Sequence, residues 1–164
     1  MSEPQIQLLN QHLFETLIER AHQSPRLRTN HNFHATMEEN PHRFLNVMLR
    51  GTYVTPHRHT TPPKAESFVV LAGRVAVFTF DDSGEITGTW ILGGAQPGID
   101  IAAGVWHTLA VLSTEAVCFE VKPGPYTAAT DKDFAPWAPH EGESGAVKYL
   151  DRLLACVPEV SELS

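Results

Sequence analysis

The chain has 164 residues, 42% hydrophobic and 19% charged, with 11 Gly and 12 Pro, a composition of one compact folded domain rather than a disordered or repetitive polymer. A domain of this size hides roughly 70% of its unfolded surface and needs no disulfide staples. Twelve Lys and Arg against 19 Asp and Glu leave a charge of −7 with histidine neutral, which excludes the basic surface that a nucleic-acid partner requires.

The opening residues MSEPQIQ lack the positive start and apolar run of a signal peptide, and no window approaches 18 consecutive apolar residues, so no membrane span is expected and the expected compartment is the cytoplasm. Between residues 4 and 22, Ile6, Leu9, Leu13, Phe14, Leu17, Ile18 and Ala21 recur at spacings of three and four, which predicts an amphipathic helix ended by Ser24-Pro25. From Arg26 onward the period changes to two, with breakers every eight to ten residues. This predicts strands at 28–33, 43–49, 52–59, 66–72, 74–80, 85–92, 98–102, 107–112 and 115–122. Turn residues at Arg50-Gly51, Ala72-Gly73, Asp82-Ser83-Gly84 and Gly93-Gly94 let most neighbours pair as hairpins. A short helical turn is expected near 37–42, where Thr36 and Glu39 suit a capping box and Asn40-Pro41 suits a helix start. Residues 123–143, rich in Pro and Gly and carrying Tyr126, Phe134 and Trp137, read as an ordered arm on the barrel. A last helix over 145–156 is expected to bury Val147, Leu150, Leu153 and Leu154. Eight or nine short strands between two helices predict an all-β, double-sheet barrel of the jelly-roll kind, with an N-terminal helix (1–25), a barrel (26–125) and a C-terminal arm and helix (126–164).

Cys118 and Cys156 form no CxxC pair, so thiol-redox chemistry and zinc ribbons are poor readings, and the nine histidines draw attention instead. His57-Arg58-His59 closes the run TYVTPHRH, and in a strand both imidazoles face one way. By itself the pair is weak, since about half a chance His-x-His pair is expected at this histidine content. Glu66 strengthens it, because it heads ESFVVLAG in line with Phe68 and Val70, where a carboxylate sits either at a wet strand end or buried with a partner. His107 repeats the pattern at the head of HTLAVL. Tyr53 and Thr55 are in phase with His57, so Tyr53 is either a core tyrosine or a proton donor to the site. Glu120 and Lys122 share a face that alternation leaves open: inward, Lys122 is a cationic or proton-transferring group, and outward the two are a surface pair. Arg58 alternates away from the histidines as a surface or interface residue. Arg26, Arg28, His31 and His34 form either an anion-binding arm at a cavity mouth or a solvated strand, and His12, His22, His42 and His140 read as surface. Trp106, Phe134 and Trp137 read as packing.

These residues resemble the cupin superfamily. Gly51, His57, His59, Glu66 and Gly73 follow the order of its first motif, and Gly104-Val105-Trp106-His107 supplies the core of the second. The chain departs from the pattern in three places: six residues separate His59 from Glu66 where three or four are usual, Ala102 stands for a proline, and Val111 for an asparagine. More narrowly, LNVMLRGTYVTPHRH, ESFVVLAGR, GVWHTL and FEVKPGPYTAATDKDFAPWAP look like the WbuC-type small cupin metalloproteins found beside bacterial surface-polysaccharide genes, over about residues 26–139. The resemblance implies a double-stranded β-helix in which His57, His59, Glu66 and His107 hold one divalent transition metal. Three imidazoles and a carboxylate suit Fe, Mn, Ni, Co or Zn better than Mg or Ca, and leave two positions on a six-coordinate ion for an anionic oxygen. The expected activity is Lewis-acid isomerisation or epimerisation of a small polar or anionic, sugar-related substrate, with Tyr53 or Lys122 as general acid or base. The alternatives are an iron-dependent dioxygenase, a saccharide- or acid-binding module without turnover, and a metal-free structural barrel. Apolar residues on both faces of 66–72 also lead us to expect a homodimer, or terminal helices covering the outer sheet.

Overall fold

The computed structural model describes residues 5–158. Helix α1 (Gln11–Gln23) is followed by strands β1 (Arg28–Asn32), β2 (His42–Leu49), β3 (His57–Arg58), β4 (Glu66–Ala72), β5 (Val75–Phe80), β6 (Ile86–Leu92), β7 (Gly98–Ile101), β8 (Trp106–Val111), β9 (Glu115–Lys122) and β10 (Asp133–Phe134), then helix α2 (Ala146–Ala155). The strands form two antiparallel five-stranded sheets, ordered β1-β2-β9-β4-β7 and β10-β3-β8-β5-β6. This is a cupin jelly roll with a helix at each end of the chain, as the strand count and motifs lead one to expect.

Much of each sheet is apolar on both faces because a helix packs on part of its outer side, while Val69 and Leu71 on the outer side of β4 stay exposed. Met48, Phe68, Val75, Val77, Leu92, Ile101 and Val111 fill the space between the sheets. Outside the first sheet, Leu17 and Ala21 of α1 pack on Leu45, Val47 and Val117. Outside the second, Leu150 and Leu153 of α2 share a cluster with Ala76, Phe78, Phe80 and Trp106. Helix α1 starts late because Asn10 caps it: its side-chain oxygen accepts the Leu13 N–H at 2.9 Å, leaving Ile6 and Leu9 exposed before the first turn. Val147, expected in the buried stripe of α2, is 70% exposed, since the stripe runs through Ala146, Leu150 and Leu153 and position 147 lies about 100° round the helix from 146.

Two other expectations are corrected. Residues 37–41 form turns rather than a helical turn, with Glu39 Oε1 accepting the Ala35 N–H at 2.7 Å, and β2 begins at His42. The strand expected over 52–59 is a ladder only at His57–Arg58. Residues 52–56 are extended but unpaired with any strand, so alternation does not govern them.

Gly73, which closes the first histidine motif, turns β4 into β5 at φ +79°, and a Cβ there would run into the Glu115 carbonyl oxygen and the Ala116 Cα. Gly73→Ala is expected to destabilise the fold by about 1–2 kcal/mol from the left-handed backbone alone, with the collision adding to it. Urea unfolding of the variant measures this, and an unchanged midpoint would refute it.

Candidate metal centre and cavity

Strands β3 and β8 pair so that His57 lies opposite His107, and His59 follows β3 directly. The long gap before Glu66 is taken up by a tight reversal in which Thr60 bridges Pro63, and this returns the chain to start β4 at Glu66. The loop before β8 is tied to the same place, since the Gly104 N–H donates to the His59 carbonyl at 3.1 Å. All four side chains are buried, and one ligand atom from each lies within 4.8 Å of the others. His59 Nε2 is 3.0 Å from Glu66 Oε2, and His107 Nε2 is 3.2 Å from Glu66 Oε1.

The imidazoles are oriented from behind. His57 Nδ1 donates to the Thr55 carbonyl at 2.9 Å, His107 Nδ1 to the Val105 carbonyl at 2.8 Å, and His59 Nδ1 to the Asp131 carbonyl. A carbonyl only accepts, so each Nδ1 carries its hydrogen, and a ring that is neutral turns an Nε2 lone pair into the cluster. A lone pair facing a carboxylate oxygen at 3.0 Å repels it unless a proton or a cation lies between. His107 Nε2 is a buried atom with no hydrogen-bond partner among the described residues. Burial pushes the His57 pKa well below the usual range, helped by the charges of Lys132 and His107. Burial alone would raise Glu66, but the neighbouring His107 and His59 outweigh it and hold the carboxyl well below its ordinary value. Burial likewise opposes charging His107, and Glu66 overrides it and raises that pKa. The donor set is therefore three imidazole nitrogens and an ionised carboxylate, and this cluster could bind a divalent transition metal.

His57, Glu66 and His107 of the cluster line a cavity of about 520 Å³. Glu120 and Lys122 both face into it, which settles the alternation on β9. Burial and the charge of Glu66 push the Glu120 carboxyl up to about 7, and its Oε2 accepts Asn46 Nδ2 at 3.1 Å. Lys122 donates to Asp131 at 3.2 Å and Lys64 to the other Asp131 oxygen at 3.0 Å, so one buried carboxylate sits between two buried ammonium groups. Burial works against the Lys122 charge, but Glu66, Glu120 and Asp131 override it and raise its pKa, keeping it protonated. At the mouth, Glu141 is clasped in the same ratio, 2.7 Å from Arg26 and 2.6 Å from Arg28.

Burial opposes ionising Glu141, yet the two guanidiniums hold its pKa down at about 2. A depressed carboxyl stabilises the fold above its unfolded pKa and loses that contribution as pH falls through the folded value. Glu141→Gln is expected to cost about 1 kcal/mol at pH 7, allowing for partial exposure. Thermal melts should show the gap to wild type closing between about pH 4.5 and pH 2. A gap that stays constant with pH would overturn this assignment.

Tyr53 is not where its phase with His57 suggests. Because residues 52–56 are outside any ladder, its ring packs against Tyr149 of α2 and its hydroxyl donates to the Pro139 carbonyl at 2.7 Å, away from the cavity. His42 is buried rather than at the surface, stacked on His34 at 4.1 Å in the cavity wall. Arg58 bonds Asp133 at 2.8 Å and lies over the Trp106 ring at 4.1 Å. Of the four residues of the expected arm, Arg26, Arg28 and His34 line the cavity and His31 does not. Sequence reasoning passed over Lys64, Asp131 and Lys132. Only the density of charge in TAATDKDF, within an otherwise apolar arm, marked that stretch.

A family model described as "Domain of unknown function (DUF6016)" matches residues 9–92. No curated protein matches the chain by sequence. Among solved structures, the capsular polysaccharide assembling protein CapF from Staphylococcus aureus superposes with a TM-score of 0.56 at 21% identity, covering 68% of this chain and 32% of CapF. The chain thus spans about a third of that protein's length. Protein SO0799 from Shewanella oneidensis gives a TM-score of 0.54 at 12% identity over 77% of this chain and 85% of its own. A recombinant oxalate oxidase in complex with glycolate gives 0.51 at 14% identity over 69% and 57%. At these identities the likeness is one of fold.

Proposed function

Since the chain belongs to the family described as a domain of unknown function (DUF6016), we propose from its own site that it is a metal-dependent cupin of the WbuC type. Its substrate is small, polar or anionic and sugar-related, and its reaction is an isomerisation or epimerisation in surface-polysaccharide metabolism. The observation that carries the reading is the convergence of three buried Nε2 atoms on Glu66, each ring held by a backbone carbonyl at Nδ1. His57, His59, Glu66 and His107 would hold the ion. A divalent transition metal bound there supplies Lewis acidity toward a substrate oxygen.

The other tasks fall to the cavity walls. Glu120, buried and able to carry a proton near neutrality, is the group suited to move one between carbon and solvent. Lys122, fixed by Asp131, contributes a permanent positive charge rather than a base. Tyr53 takes no part, its hydroxyl being engaged on Pro139. Incubating the metal-loaded protein with aldoses, ketoses and sugar acids in D₂O tests the reading by NMR. Solvent deuterium is expected at the carbon next to a carbonyl of one of them. Oxygen uptake by an iron form would replace this reading with the dioxygenase, and a ligand that raises Tm without exchange would replace it with a binding module.

A further inference from the structure

Two polar groups in the cavity have no partner among the described residues, and they ask for different chemistry. Lys132 lines the cavity and makes neither a hydrogen bond nor an ion pair there. Its backbone is fixed on both sides: Asp131 is held by Lys64 and Lys122, while Asp133 bonds Arg58 and pairs with it across β10 and β3. The side chain is therefore presented to the cavity by a tethered segment. Burial, with the charge of Lys122 behind it, lowers its pKa, so an anion beside it relieves both penalties. The second group is Asn46. Its Nδ2 is spent on Glu120, and its Oδ1 is buried with no donor. An ammonium calls for an anionic acceptor, and a buried amide oxygen calls for an N–H or O–H.

A simple carboxylate answers Lys132 and leaves Asn46 Oδ1 unsatisfied; an uncharged polyol does the reverse. Leaving either unpaired once the ligand has displaced water from it forfeits part of the binding. Among the groups that line the cavity, the cations Arg26, Arg28, Lys122 and Lys132 outnumber the acids Glu66, Glu120 and Asp131, which also favours an anion. We propose that the cavity's ligand is a polyhydroxy acid whose carboxylate is taken by Lys132 while one of its hydroxyls donates to Asn46 Oδ1. This names the substrate class of the proposed function and rests on that reading for the cavity's role. Neither Lys132 nor Asn46 belongs to the four-ligand cluster, so the two ideas can fail separately.

Calorimetric titration with gluconate, sorbitol and hexanoate, on metal-loaded and on chelator-treated protein, provides the test. Gluconate carries both groups, sorbitol lacks the carboxylate, and hexanoate lacks the hydroxyls. Gluconate is expected to bind at least about tenfold more tightly than either. Lys132→Met should weaken gluconate by about tenfold or more and leave sorbitol unchanged, Lys132→Arg should restore most of the loss, and Asn46→Ala should weaken gluconate but not hexanoate. Metal content and Tm of Lys132→Met should match wild type, showing that the fold and cluster are intact. Gluconate binding no tighter than sorbitol, or unchanged in Lys132→Met, would overturn the inference. A Lys132-dependent preference for gluconate in a protein that takes up no metal would uphold it and reject the metal reading. One equivalent of metal with no effect of Lys132→Met would do the opposite.

Discussion

Asp131→Ala is expected to lower the unfolding free energy by about 3–5 kcal/mol, a large share of the stability of a domain this size. The carboxylate is almost fully buried, with side-chain exposures of 2% for Asp131, 3% for Lys64 and 9% for Lys122, so its removal leaves two largely buried ammonium groups without their counter-charge. The magnitude comes from those uncompensated charges more than from the two lost contacts. Adding Lys64→Met to Asp131→Ala should therefore recover part of the loss, whereas independent surface pairs would give an additive double mutant. Urea unfolding of the four proteins closes the cycle, and additivity within about 0.5 kcal/mol would reject the buried triad. The backbone carbonyl that orients His59 survives in Asp131→Ala, but the segment carrying it loses its ties to Lys64 and Lys122, so metal uptake should also weaken without a ligand being touched.

His57→Ala and His107→Ala are expected to reduce bound metal from near one equivalent to near none. Each removes one of four donors from a site whose atoms lie within 4.8 Å of one another, and the remaining three span an incomplete shell. Elemental analysis of untagged protein purified without chelators reads the effect directly. Binding that favours the folded state also raises its stability, so a chelator should lower the Tm of wild type and leave both variants unmoved. Iron in the wild type would favour oxygen chemistry, and zinc, nickel or manganese would favour Lewis-acid chemistry. Wild-type protein that neither carries nor takes up metal would end both enzymatic readings.

Much of this architecture is legible in the chain because most elements obey a single period. β4 alternates in burial, β5 and β8 are short apolar runs buried almost throughout, and the breakers between strands supply the turns, so strand order and the placement of His57, Glu66 and His107 at or beside strand heads follow from local pattern. Tyr53 shows where that logic stops: alternation carries a side chain's direction only along a hydrogen-bonded ladder, and residues 52–56 have none. Val147 fails for a related reason, since a helix of nearly three turns with Ala146, Leu150 and Leu153 inward turns 147 away from that line. Asp131 and Lys132 are illegible because an arm without periodicity gives no face to assign, and Lys64, in the reversal before β4, meets Asp131 only through a contact 67 residues apart.

That same arm changes what a unit of folding means here. The acceptor for His59 Nδ1, the strand that pairs with His57 and the bond from the Ala135 N–H to the Pro56 carbonyl at 2.9 Å all come from residues 131–135, long after the last ligand in the chain. A nascent polypeptide that has completed β8 possesses every donor atom yet holds one imidazole without its backing carbonyl. The centre is therefore finished by contacts made well after its last ligand, and those contacts close longer loops than the pairing of β3 with β8 does. Protection of the histidine-bearing strand against hydrogen exchange should consequently rise and fall with the arm, rather than with the barrel sheets on which the ligands sit.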